Sequence, residues 1–157
     1  MPSDKTLEAF ERIFSKYKLD TKHGLEEWIR LVIKTACERL HLKPIGVEFG
    51  DLMKVYKIAG HYLINYDKMK IVVDYGRIYQ SFAVFSKKSK SRMSKEAAIS
   101  NILHGLYHEL GHYKLHVKRV DQANVFELQP EGFAVKFAEK EFNRFFMKLV
   151  TEGVEEY

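Results

Sequence analysis

Cysteine is almost absent from this 157-residue chain, which has only Cys37, and proline is scarce, with three residues. A single cysteine cannot form a disulfide within the chain, so a disulfide scaffold is excluded. Its neighbours Ala36 and Leu40 favour a buried structural thiol rather than a reactive one. Nothing in the sequence resembles a Gly/Pro-rich linker or an internal repeat, so we expect one domain across residues 1–157.

Long apolar runs are also missing. The longest apolar stretches fall well below the roughly 20 residues that span a bilayer, so we expect no membrane helix and no membrane partner. The first residues, Met-Pro-Ser-Asp-Lys-Thr, lack the apolar region of a secretory signal, and we expect a cytoplasmic protein. Asparagine and glutamine are sparse beside lysine, arginine and glutamate, a balance that indicates a thermophilic source.

The net charge of +5 is compatible with an acidic partner. Five of the nine residues in 87–95 are basic and none is acidic, so this run is a candidate for contact with nucleic acid. It holds no aromatic residue on which a base could stack, which favours a solvated loop instead. The sequence leaves the oligomeric state open.

Hydrophobic periodicity predicts an α+β fold, with a small mixed or antiparallel sheet surrounded by helices. Two amphipathic helices are expected at 5–18 and 25–40. Strands are expected at 45–49, 54–59, 62–65, 70–74 and 78–85, with a tight turn at Asn65-Tyr-Asp-Lys. The predicted organisation is a helical N-terminal cover over 1–44, a sheet over 45–85, a motif helix over 94–118 capped by Ser94, and a further helix over 130–150.

The motif helix carries His108-Glu109-Leu-Gly-His112, which fits the pattern H-E-x-x-H. Four residues of α-helix rotate about 400° and rise about 6 Å, so both imidazoles lie on one face and can share a tetrahedral metal. Glu109 projects about 100° from His108, where it can take a proton from metal-bound water without binding the metal. This pattern predicts a zinc metallopeptidase in which Glu109 is the general base. Another divalent metal could occupy the same ligands.

A hydrolytic zinc site needs a third protein ligand and one open position. Glu131 is the predicted third ligand because it lies nineteen residues after His112, enough for a loop and a returning helix. Glu127 is the alternative, although it precedes Pro130 and is expected to lie in the connection. His104 and His116 continue the four-residue spacing but drift about 40° per step, so we expect neither to bind the metal, and His116 to order the helix end.

Two segments resemble the gluzincin class of zinc peptidases, and in particular the small minigluzincins. Residues 108–116, HELGHYKLH, are similar to the active-site helix of the ImmA/IrrE family. Residues 131–138, EGFAVKFA, resemble the gluzincin pattern E-x-x-A-D-x-F-A. The resemblance implies a zincin-like domain in which Glu131 is the third zinc ligand. The chain departs from the pattern at Val135, where the family has an aspartate or asparagine that hydrogen-bonds a ligand histidine.

The segment 59–73 resembles the hairpin that precedes the motif helix in these enzymes, and its outer strand is expected to hold a peptide or protein substrate by strand addition. Tyr62, Tyr107 and Tyr113 are candidates for an oxyanion-stabilising hydroxyl, and the sequence does not choose among them. Two other interpretations stay open. One is a regulatory or nucleic-acid-associated protein that keeps the zinc fold, and the other is a latent or non-catalytic zinc protein.

Overall fold

Two helices open the protein, whose computed structural model describes residues 3–80, 92–121 and 130–157. Helix α1 is Asp4–Lys16 and helix α2 is Lys22–Arg39. Ser3 caps α1 and Thr21 caps α2, each with a side-chain oxygen that accepts a backbone N–H three residues later. Both helices were predicted from the spacing of their apolar residues, and one side of each is buried in the core.

A three-stranded mixed sheet follows, with strands β1 (Gly46–Gly50), β2 (Tyr62–Asn65) and β3 (Lys70–Asp74). The strand order is β1-β3-β2, so β3 is central and β2 lies at an edge of the described sheet. β1 pairs parallel to β3, whereas β2 pairs antiparallel to it. The predicted turn at Asn65-Tyr-Asp-Lys connects β2 to β3. The Asn65 side chain accepts the Lys68 N–H across it.

Two predicted strands are wrong in the residues that the structure describes, because helices replace their first residues. Helix α3 (Leu52–Tyr56) occupies the first half of the predicted strand 54–59, and helix α4 covers residues 75–80 where a strand was expected from 78. An aspartate caps each helix. Asp51 accepts the Lys54 N–H at 3.0 Å, and Asp74 accepts the Arg77 N–H at 3.0 Å. These caps outweigh the β propensity of the residues that follow them. Residues 81–85 lie outside the described part.

Helix α5 (Arg92–Asp121) contains the motif and packs against α6 (Pro130–Met147), which ends in a short π-helix (Lys148–Glu152). Both were predicted as helices. Ser94 is not the cap of α5, because the helix already includes Arg92. In the basic run 87–95, residues 92–95 belong to α5, and 87–91 lie outside the described residues.

The core lies between α1, α2, α5 and α6 and the sheet. Its largest fully buried side chains include Trp28, Tyr107, Tyr113, Phe10 and Phe145. Cys37 is buried among them, as predicted, and burial raises the pKa of its thiol. Within the described ranges, no helix is both long enough and apolar enough to cross a bilayer.

The residues after α6 fold back onto the core. Tyr157 is 3% exposed, and its hydroxyl accepts the Trp28 Nε1–H at 2.8 Å. Its backbone oxygen accepts hydrogen bonds from Arg39 and Arg144. Both arginines also contact the buried carboxylate of Glu141. Because Arg39 lies on α2 and Arg144 on α6, the C-terminal residue joins these two helices.

Candidate metal centre

Helix α5 places the two motif histidines side by side. His108 and His112 are one turn apart on a continuous helix, and their Nε2 atoms are 3.2 Å apart. Each imidazole is about a quarter exposed, so both reach the surface from a helix whose opposite side is buried. The four-residue spacing therefore produces the pair that the sequence predicted.

Helix α6 brings Glu131 to the same point from its first turn. Its Oε1 lies 2.8 Å from His112 Nε2, and its Oε2 lies 3.3 Å from His108 Nε2. The side chain of Glu131 is 75% exposed, so one side of the cluster is open to solvent. The alternative ligand Glu127 lies outside the described residues.

These three side chains fit a tetrahedral metal ion. Ligand atoms about 2.0–2.1 Å from zinc at tetrahedral angles lie about 3.3 Å from one another. The two Nε2 atoms are 3.2 Å apart, close to this value, and each lies 2.8 to 3.3 Å from an oxygen of Glu131, a different oxygen for each histidine. In the described part of the chain, these are the residues whose geometry can hold a metal. Two imidazoles and a carboxylate form a donor set that suits zinc.

Glu109 lies beside this cluster without joining it. Burial raises the pKa of its carboxyl above the ordinary value, His112 acts in the opposite direction, and the charge of Glu131 raises it further. A partly buried carboxylate next to a metal-ligand set is a candidate general base, because its proton affinity is higher than that of a surface glutamate.

The close approach of α6 to α5 depends on Gly111, which sequence reasoning did not single out. A Cβ at Gly111 would lie 3.0 Å from the Cα of Ala134 and 3.2 Å from the Cβ of Phe137. Glycine at this position lets the backbones of the two helices come near enough for Glu131 to reach the histidines. A glycine inside a helical motif was a sign of close packing in the sequence. Its packing partner Ala134 lies more than twenty residues away and could not be identified from spacing.

His104 and His116 lie on the same helix but do not belong to the cluster that the described residues form. The His104 ring packs on Phe142 with centroids 4.2 Å apart, and burial lowers the pKa of its imidazole. The His116 ring stacks on Tyr66 at 4.0 Å. The expectation that His116 orders the helix end is wrong, because α5 continues to Asp121.

The hairpin of β2 and β3 lies along the motif helix. Tyr62, at the start of β2, contacts Gly105, and Tyr66, just after β2, stacks on His116. Strand and helix thus run in the same direction. The face of α5 that bears Gly105 and Glu109 is next to β2, whereas Gly111 faces α6. The histidines project between these two neighbours.

The three candidate hydroxyls have different surroundings. The Tyr113 hydroxyl donates to the backbone oxygen of Lys43 at 2.9 Å. Tyr107 is fully buried near the guanidinium groups of Arg39 and Arg144, away from the cluster. Tyr62 is close enough to Glu109 for that carboxylate to raise the pKa of its phenol, in addition to the larger effect of burial. Only Tyr62 of these three therefore lies at the candidate site.

Comparison of the sequence with protein families and curated proteins, and of the fold with solved structures, finds no match.

Proposed function

We propose that this protein is a zinc-dependent metallopeptidase of the gluzincin class, with a zincin-like fold. The observation that supports it best is the convergence of His108, His112 and Glu131, whose ligand atoms, one from each residue, all lie within 4.8 Å of one another, with Glu109 beside them. The similarity of residues 108–116 and 131–138 to gluzincin segments supports the same class.

The chemistry assigned to the residues follows from their positions. A bound zinc ion lowers the pKa of a coordinated water and polarises the substrate carbonyl. Glu109 would accept a proton from water held at the site and would return it to the amine nitrogen of the leaving peptide. The exposure of Glu131 favours a catalytic site over a closed structural one, because it leaves one side of the ligand set accessible.

The substrate we propose is an extended peptide that pairs with β2. β2 is an edge strand of the described sheet, and it packs on α5, the helix that carries both ligand histidines. Backbone groups on such an edge can form hydrogen bonds with an added strand of any sequence. A peptide in this position would pass along the face of α5 that bears Glu109.

Metal content tests the ligand assignment. The proteins to compare are wild type, His112→Ala and Glu109→Gln, with His116→Ala as a control on the same helix. After loading with zinc and removal of the excess, mass spectrometry should find one zinc in wild type, Glu109→Gln and His116→Ala. His112→Ala should hold no stoichiometric zinc. A wild-type protein that retains no metal would show that the histidine pair is a packing feature.

Hydrolysis tests the catalytic assignment. The same four proteins are incubated with a mixture of unfolded proteins, and new amino termini are counted by mass spectrometry. Wild type and His116→Ala should cleave, whereas Glu109→Gln should hold zinc and be inactive, since a neutral amide cannot accept the proton. Full activity in Glu109→Gln would remove the base assignment. Zinc binding without cleavage in wild type would favour a non-catalytic or latent zinc protein.

A further inference from the structure

Strand β2 and helix α5 come into close contact where Tyr62 meets Gly105. A Cβ at position 105 would lie within 3.0 Å of three atoms of Tyr62, namely Cε2, Cζ and the hydroxyl oxygen. Glycine inside a helix is less favourable than alanine, so α5 is less stable here than it could be. In return, the end of the ring that bears the hydroxyl rests directly on the helix backbone.

Glu109 lies one turn after Gly105 on the same face of α5. Side chains in an α-helix tilt toward its N-terminus, so the Glu109 side chain leans over the turn that contains Gly105. The helix geometry thus directs the Glu109 side chain toward the turn on which the phenol of Tyr62 rests. The effect of the Glu109 charge on Tyr62 agrees with this closeness.

We propose that Tyr62 is a positioning residue for Glu109. Its ring, seated on Gly105, holds a hydroxyl donor beside the carboxylate and fixes the orientation in which Glu109 takes a proton. The term base rests on the proposed peptidase function, whereas the contact between Tyr62 and Gly105 does not. His112 lies on the other side of Glu109 along the helix, so the carboxylate would be held between Tyr62 and the metal ligands.

Removal of the hydroxyl alone is the first test. Tyr62→Phe keeps the ring on Gly105, so KM and zinc content should match wild type. The kcat for peptide hydrolysis should fall roughly tenfold to hundredfold, the usual effect of losing a hydrogen bond to a charged group. Tyr113→Phe is the matched control, because its hydroxyl bonds Lys43 on the core side of α5. The control should lose thermal stability and keep its kcat. An unchanged kcat in Tyr62→Phe would overturn the proposal.

Movement of the ring is the second test. In Gly105→Ala the new methyl group should push the outer end of the Tyr62 ring away from the helix, and kcat should fall as in Tyr62→Phe. The kcat of the double variant Tyr62→Phe/Gly105→Ala should be no lower than that of the slower single variant, because both changes act through one contact. Gly60→Ala is the control, since a Cβ there would have no neighbour within 4 Å. Losses that multiply in the double variant would contradict a shared contact.

A third measurement does not depend on catalysis. Urea unfolding of the metal-free protein at about pH 8 compares Tyr62→Phe in the wild-type background and in a Glu109→Ala background. Tyr62→Phe should lower the urea concentration at the unfolding midpoint only in the background that retains Glu109. Equal shifts in both backgrounds would refute the contact, whether or not peptides are cleaved. A clear difference together with no cleavage by wild type would leave the Tyr62–Glu109 contact in place and reject the peptidase function.

Discussion

At the residue scale, Val135 is the position where the chain departs from the gluzincin pattern. It lies on α6 one turn after Glu131, and its side chain is 45% exposed. A carboxylate or amide here could accept a hydrogen bond from a ligand imidazole, and valine cannot. The histidines are therefore expected to be oriented less firmly than in a site that has this acceptor.

Val135→Asp should strengthen metal binding. Acceptors behind ligand histidines are typically worth 10–100-fold in metal affinity, so the zinc dissociation constant should fall by about tenfold or more. Competition with a chromophoric chelator measures this constant. Val135→Ala is the control, and its dissociation constant should remain within about twofold of wild type. Equal affinity in the two variants would mean that position 135 does not reach a ligand.

The residues of the candidate site differ in how far the sequence could identify them. His108, Glu109 and His112 were identified because their relation is local and is set by the turn of one helix. Glu131 required a resemblance in addition, because its distance from the histidines depends on how two helices pack. Gly105 was not singled out, since the reason for a glycine there is a tyrosine 43 positions earlier in the sequence.

At the scale of elements, prediction succeeded where an apolar or β-rich pattern decided the structure and failed where a local capping hydrogen bond did. Helices α1, α2, α5 and α6 have long apolar patterns, and strands β1, β2 and β3 have short β-rich ones, so all were expected. The two errors, α3 and α4, are short helices whose apolar content resembles that of strands. Their signal was the aspartate that precedes each, Asp51 and Asp74.

Gly111→Ala should separate α5 from α6. The added methyl group would meet the Ala134 backbone, at a cost of about 1–3 kcal/mol for overpacking, partly offset by roughly 1 kcal/mol of helix propensity. Chemical denaturation should show a stability lower by up to about 2 kcal/mol. Zinc affinity should fall too, because Glu131 moves with α6.

The control for Gly111→Ala is Gly60→Ala, which places its methyl group in open space. It should retain both the stability and the zinc affinity of wild type. If Gly111→Ala binds zinc as tightly as this control, the position of Glu131 does not depend on the contact between the two helices.

At the scale of the whole molecule, the segment from Gly153 to Tyr157 connects parts that are distant in sequence. Tyr17 and Trp28 contact it from one end of the chain, and Arg144 and Lys148 from the other. The pattern Gly-Val-Glu-Glu-Tyr has no periodicity and is rich in charge, so nothing local predicts this docking. It depends on partners that only the folded chain brings together.

Tyr157→Phe should destabilise the whole fold. The substitution leaves the buried Trp28 N–H without its acceptor, which costs about 1–3 kcal/mol. Thermal unfolding should shift down by about 2–4 °C for each kcal/mol in a chain of this size. Tyr56→Phe is the control. The hydroxyl it removes accepts a hydrogen bond from the Asn65 side chain at a partly exposed position, so the melting temperature should fall less. Equal melting temperatures would show that the Trp28 contact contributes little.

Zinc should stabilise the fold through linkage. At a free concentration 100 times the dissociation constant, an ion that binds only the folded state adds about 2.7 kcal/mol, or roughly 5–11 °C in melting temperature. Calorimetry with and without zinc measures the shift in wild type, and His112→Ala should show none. A similar shift in both proteins would mean that the ion acts elsewhere.

The position of the ligands on two different helices gives the metal centre a second physical effect. A chain with one cysteine has no covalent cross-link of its own. An ion bound by His112 on α5 and Glu131 on α6 would join the two helices across a loop of nineteen residues, and because folding assembles these ligands, it would hold only the folded chain. A disulfide, by contrast, persists after unfolding and stabilises mainly by restricting the unfolded chain. A metal ion would thus act in this protein as a reversible cross-link between α5 and α6, removable by a chelator rather than by a reductant.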